Sequence, residues 1–336
     1  MGWQETQGFA FLPAPDPLGA QTPTPLEARY NVLGIPLTVA TNAPVLAELA
    51  EEVFGAWGAP PEGRETPYVR LQALLHPASE SRAHGQRPTL RCRAQAGYLV
   101  LSLGDSLGFG DRPAGFAAAF ITPDLLADPE RVRTCLLECL GLFLVCRHRR
   151  ATLHAAAVLH NDRCVLLTGE QGAGKSTLAY ACLRAGFRLL AEDIVFAERE
   201  EQAVRAWGSP WHLHLLPDAV RFFPELRKAA SVEQMNGERK LRVRVDQVRS
   251  EAPVTNGLVW GVCSLSRSAD AITRLTAPDP TRIRQALTHF KEDPLLDRAA
   301  MHTAADRLLE GRLAHLEVGH DPTTAVETLR HWLETG

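Results

Sequence analysis

Gly169-Glu170-Gln171-Gly172-Ala173-Gly174-Lys175-Ser176-Thr177 fits the pattern Gly-x-x-x-x-Gly-Lys-Ser/Thr, and its reading decides the fold. Glycines let a backbone turn back on itself and come close to an anion. Consecutive N–H groups then point into one concavity. Lys175 can set a point charge between two phosphates, and the Ser176 hydroxyl can ligate Mg2+. The stretch therefore predicts a bound nucleoside triphosphate rather than a dinucleotide.

The surroundings agree with this reading. Cys164-Val165-Leu166-Leu167-Thr168 is a short apolar run, as a buried strand is. Leu178, Ala179, Ala181, Cys182 and Leu183 predict a packed helix after the loop, with Gly186 as its stop. A loop placed so lies at a helix N-terminus, where the dipole favours phosphate. Upstream, Leu153 to Leu159 reads as one strand and His160-Asn161-Asp162-Arg163 as a hairpin turn. Downstream, Arg188-Leu189-Leu190-Ala191 reads as a strand that ends in Glu192-Asp193. In open α/β sheets ligands bind at that edge. Nucleotide chemistry needs a carboxylate for Mg2+ and often another to accept a proton, so these two acids are the candidates.

The bulk numbers set limits. A chain of 336 residues suffices for one large domain or two ordinary ones. With 45% hydrophobic and 22% charged residues it reads as a soluble globular protein. A net charge of -3 argues against a nucleic-acid binder. The longest apolar stretch, Leu136 to Cys146, is too short for a membrane span. Seven cysteines without a secretory signal predict reduced thiols and a cytoplasmic location. Residues 1–30, rich in Pro, Gly and Thr, read as an extended leader.

Residues 31–127 read as a small α+β domain. Val32 to Val39 is strand-like, Asn42 is a helix N-cap, and Val45 to Phe54 has helical spacing. Tyr68 to Leu75, Thr89 to Ala94 and Tyr98 to Leu103 read as an antiparallel sheet, with a tight turn at Ala96-Gly97. A helix from Pro129 to Arg147 opens the second domain, residues 128–336. Later strands are expected at Leu241 to Val245, Gly257 to Leu265 and Arg312 to Val318, then a helix from Pro322 to Leu333. Alternation at Lys240-Leu241-Arg242-Val243-Arg244 gives a basic strand face opposite an apolar one. His212 and His214 share one strand face, and no third metal ligand stands near them in sequence.

Three stretches together resemble the HPr kinase/phosphorylase family, whose core is shared with phosphoenolpyruvate carboxykinase. They are Leu153 to Val158, Val165 to Ala179, and Gly186 to Asp193. The shared order is a His before the hairpin, the phosphate loop, a helix ending at Gly, and a strand ending in paired acids. The match covers roughly residues 150–198. It implies an α/β fold: a P-loop kinase core of the HPr kinase C-terminal type with a mixed sheet, preceded by the small α+β domain.

The resemblance also implies roles. Lys175 and the amides of residues 169–177 would hold the phosphates of ATP, with Lys240 as a further phosphate contact. Ser176 would bind Mg2+ with Asp193 as carboxylate partner. Glu192 or Asp193 would be the general base, and His154 would lie near the transferred phosphate. Where the family carries two Asp residues, this chain has Glu192-Asp193. The reaction implied is phosphoryl transfer to a hydroxyl, most plausibly serine of a protein or peptide. A small-molecule hydroxyl acceptor, and an ATPase or nucleotide sensor without an acceptor, stay open.

Overall fold

A computed structural model of the protein describes residues 22–61, 69–76, 88–95, 97–146, 150–234, 237–269, 271–290 and 297–335. Most of the expected leader, part of the loop after Pro60, Tyr68, Ala96 and Arg147 lie outside them. The chain divides into two compact units, one ending at Leu144 and one beginning at Val145. The helical segment expected to open the second domain therefore belongs almost wholly to the first. Among the described residues, no helix is long and apolar enough to cross a membrane.

The first unit carries a seven-stranded sheet. Its strands are β1 (Leu26–Val32), β2 (Ile35–Thr41), β3 (Val69–Leu75) and β4 (Leu90–Gln95), then β5 (Tyr98–Leu103), β6 (Ser106–Asp111) and β7 (Phe116–Ile121). The spatial order is β1-β2-β3-β7-β6-β5-β4. The sheet is mixed, not antiparallel throughout: β3 runs parallel to both β2 and β7. The single strand expected over Val32 to Val39 is instead the corner of a hairpin. Leu33 and Gly34 both take positive φ, 50° and 76°, as a two-residue hairpin turn needs.

Helix α1 (Pro44–Phe54) follows, and Asn42 does not cap it. The Asn42 amide instead pairs with the backbone of Leu75 at the end of β3, at 2.8 and 3.1 Å. A short α2 (Pro129–Arg131), a wide π-type stretch and α3 (Cys139–Val145) form the other helical segment. A Cβ on Gly110 would stand 2.8 Å from the Phe143 ring, so this glycine lets helix and sheet meet.

The second unit holds the loop. Its sheet begins with β8 (Arg150–His154), β9 (Ala156–His160) and β10 (Arg163–Thr168). The one strand expected over Leu153 to Leu159 is thus two, parted at Ala155. β8 pairs with β12 (Ile194–Arg199), whereas β9 pairs with β10 and with β11 (Arg188–Ala191). No turn residue marks the break, so the sequence hides it. β13 (Val204–Trp207) and the long β17 (Asn256–Arg267) complete the order β11-β9-β10-β17-β13-β12-β8. β17 runs parallel to β10 and to β19 (Arg312–Val318).

Helices cover both faces. α4 (Lys175–Arg184) and α8 (Pro322–Thr335) pack on one side, where Val165, Leu167, Leu178, Leu265 and Leu329 are buried. α6 (Pro280–Leu287) and α7 (Arg298–Leu309) pack on the other, over Leu166, Val262, Ile283 and Met301. β10 thus sends alternate side chains into two cores, which is why it reads as a continuous apolar run. A separate sheet of β14 (His212–Leu215), β15 (Ala230–Glu233) and β16 (Arg239–Arg244) has order β14-β16-β15. After it come the short α5 (Val245–Val248) and, beside β19, β18 (Arg274–Thr276).

Candidate active site

The loop from Gly169 to Gly174 leaves the end of β10 and enters α4. Gly169, Gly172 and Gly174 all have positive φ, 149°, 82° and 100°. At Gly169 the reason is also steric: a Cβ would come within 2.7 Å of the Leu265 carbonyl. At Gly172 and Gly174 a Cβ would meet nothing within 4 Å, so the loop opens onto free space. No side chain caps α4 at Gly174. The first N–H groups of a helix have no partner within it. Behind the loop, the Arg267 guanidinium at the end of β17 donates to the Gly172 carbonyl at 2.9 Å. At its far end α4 stops as expected: Gly186 has φ 100°, and the Gly186 and Phe187 amides close on Leu183 and Cys182.

Lys175 is 8% exposed, and its ammonium donates to the carbonyls of Gly169 at 2.9 Å and Glu170 at 3.5 Å. Desolvation pushes its pKa below the usual lysine value; the Asp193 charge opposes this and the Lys240 charge adds to it. A desolvated cation held by neutral carbonyls is suited to receive an anion.

The two acids are held by different partners. Ser176 Oγ donates to Glu192 Oε1 at 3.3 Å, and His214 Nδ1 meets Glu192 Oε2 at 2.9 Å. Asp193 Oδ1 instead meets His154 Nε2 at 3.1 Å. The sequence reading paired Ser176 with Asp193; the acid at Ser176 is Glu192, whose longer side chain spans the gap. Glu192 is 13% exposed at its side chain and Asp193 61%. Partial desolvation would raise the Asp193 pKa. The His154 hydrogen bond and charge, with Lys175 and Lys240, outweigh it and hold the carboxyl below its usual value.

The break at Ala155 makes this cluster. The Ala155 amide donates to the Asp193 carbonyl at 3.0 Å, and Thr168 Oγ1 donates to the His154 carbonyl at 3.1 Å. The ends of β8, β10 and β11 are thereby tied at one edge. The His154 ring lies 5.8 Å from that of Phe290, and its Nδ1 is buried with no hydrogen-bond partner. Since a carboxylate only accepts, Nε2 carries the proton toward Asp193.

The structure thus gathers Lys175, Ser176, Glu192, Asp193 and His154, with Lys240 close enough for its charge to act on Lys175 and Asp193. Lys240 itself stands 3.6 Å from Glu238. Arg267, Phe290 and the engagement of His214 with Glu192 were not legible beforehand. The residues present fit ATP and Mg2+: an open glycine cradle, an uncapped helix start, a desolvated lysine, and a hydroxyl beside a carboxylate.

No protein-family model matches the chain, and no curated protein does. Among solved structures it is similar to one described as the Hpr(Ser) kinase/phosphatase from Coxiella burnetii. The likeness has 16% identity and a TM-score of 0.31, and spans 55% of this chain and 98% of that one.

Proposed function

We propose that the protein is an ATP- and Mg2+-dependent kinase that transfers a phosphoryl group to a hydroxyl, most plausibly of serine in a protein or peptide. The observation that carries this reading is the separate tethering of two carboxylates beside one phosphate-loop lysine: Glu192 on Ser176 and Asp193 on His154. Phosphoryl transfer asks for two such groups, one at the metal and one to receive the acceptor's proton.

Bound Mg-ATP would supply the electrophilic phosphorus and part of the neutralising charge. The chain's own residues do the rest. Lys175 and the amides at the start of α4 hold phosphate oxygens, with Lys240 adding charge. Ser176 and Glu192 would hold the metal. Asp193, kept ionised by its neighbours, accepts the hydroxyl proton at a carboxylate oxygen. His154 orients that carboxylate through Nε2, as second groups do in base-assisted catalysis.

The test is transfer of labelled γ-phosphate into pools of serine peptides and small-molecule alcohols. Label in an acceptor, lost in Asp193→Asn, is the expected outcome. Turnover to free phosphate with every pool unlabelled would replace this reading with an ATPase.

A further inference from the structure

We infer that His214 is a positioning residue that fixes Glu192 for a divalent cation beside Ser176. The inference rests on the nucleotide reading above and concerns a side chain outside the loop and the paired acids. Glutamate has one more rotatable bond than aspartate, and an untethered carboxylate loses more freedom on meeting a metal. Here both oxygens are engaged, Oε1 by Ser176 at 3.3 Å and Oε2 by His214 at 2.9 Å. His214 therefore locks the third torsion of Glu192 and aims Oε1 at the hydroxyl that would share the cation.

His214 is a firm post for this task. It sits mid-strand in β14, paired with Arg242 of β16. Its neighbours Leu213 and Leu215 are wholly buried in the core under α4, so the strand cannot roll. Glu192 can only accept, so the His214 Nδ1 must carry the proton, which sets one tautomer. Hydrogen bonds to a ligating carboxylate commonly govern metal affinity as well as orientation. His212 shares the face at a ring separation of 6.3 Å.

The experiment measures Mn2+ binding by electron paramagnetic resonance to the full chain saturated with a non-hydrolysable ATP analogue. His214→Ala should weaken Mn2+ binding by roughly 10–100-fold, the usual effect of removing such a partner. His214→Asn, which keeps an N–H donor near the Nδ1 position, should restore most of it. Affinity for the analogue without metal should be the same in all three proteins. Wild-type Mn2+ affinity in His214→Ala, or equal losses in the Ala and Asn variants, would overturn the inference. Failure of the wild-type chain to bind the analogue at all would instead overturn the nucleotide reading itself.

Discussion

Each of the two acids answers to a different neighbour, so their substitutions should part company. Asp193→Asn keeps the shape of the side chain and removes its proton acceptor. It should leave ATP analogue binding near wild type and lower turnover by at least about 100-fold, the lower bound for general-base catalysis; full activity would remove Asp193 from the chemistry. Lys175→Ala should abolish ATP binding or turnover, read by calorimetry and by phosphate release. Gly169→Ala acts differently, because φ is 149° and the Leu265 carbonyl blocks the new methyl. Strain of this type costs about 1–3 kcal/mol, so thermal unfolding of that variant should come earlier as well as nucleotide binding being weaker. The loop, its lysine and the acid pair were legible because their chemistry is local in sequence. The partner of each acid was not, since His154 and His214 stand 39 and 22 residues away from them. A choice between Asp193 and Glu192 at Ser176 turns on one methylene, which only geometry resolves.

At the scale of elements, strands with strict alternation or unbroken apolar runs were readable, and β10, β19 and α8 lie where expected. What escaped was punctuation without turn residues. Leu33-Gly34 turns a hairpin although a buried leucine is not a turn former, and the sheet around it supplies the reason. Asn42 has the composition of a cap but serves as a backbone partner for β3. The true caps lie elsewhere. Asp321, ahead of α8, accepts from the Thr323 amide at 2.8 Å and from the Thr324 hydroxyl. The Thr323 amide bond is the chief cause that holds its carboxyl below the usual value, against slight desolvation. A carboxyl depressed on folding stabilises above its unfolded pKa and loses that effect as pH falls through the lower folded value. Asp321→Ala should therefore cost about 1 kcal/mol near neutral pH. The difference from wild type should shrink as denaturant curves are taken to acid pH, and a constant difference would exclude the cap.

The molecule as a whole is two compact units, and the second has a core on each face of its sheet. The second contains every residue gathered around the loop, so residues 145–336 expressed alone should unfold in one cooperative transition and bind an ATP analogue. Its thiols report on both of those cores. Cys164, Cys182 and Cys263 are fully buried, and burial pushes the Cys164 and Cys263 thiols up to about 12. They should resist a thiol reagent until global unfolding, whereas exposed Cys92 in the first unit should react at once. Early labelling of the three would show that the second unit opens locally.

The parting of β8 from β9 at Ala155 has a consequence for how this chain tolerates change in length. Fourteen positions separate His154 from Thr168, and both ends of that stretch are pinned to each other by a hydrogen bond. A residue added at Ala155 has nowhere to go: it would shift His154 off Asp193 or pull β9 out of register, and a one-residue slip turns every side chain of a strand to the other face. A residue added at the Asn161-Asp162 corner, at the opposite end of β10, would only enlarge a loop. The stretch should therefore accept insertions at the Asn161-Asp162 corner and reject them at Ala155, so the site depends on the register of β8 and β9 and not on the number of residues between His154 and the loop.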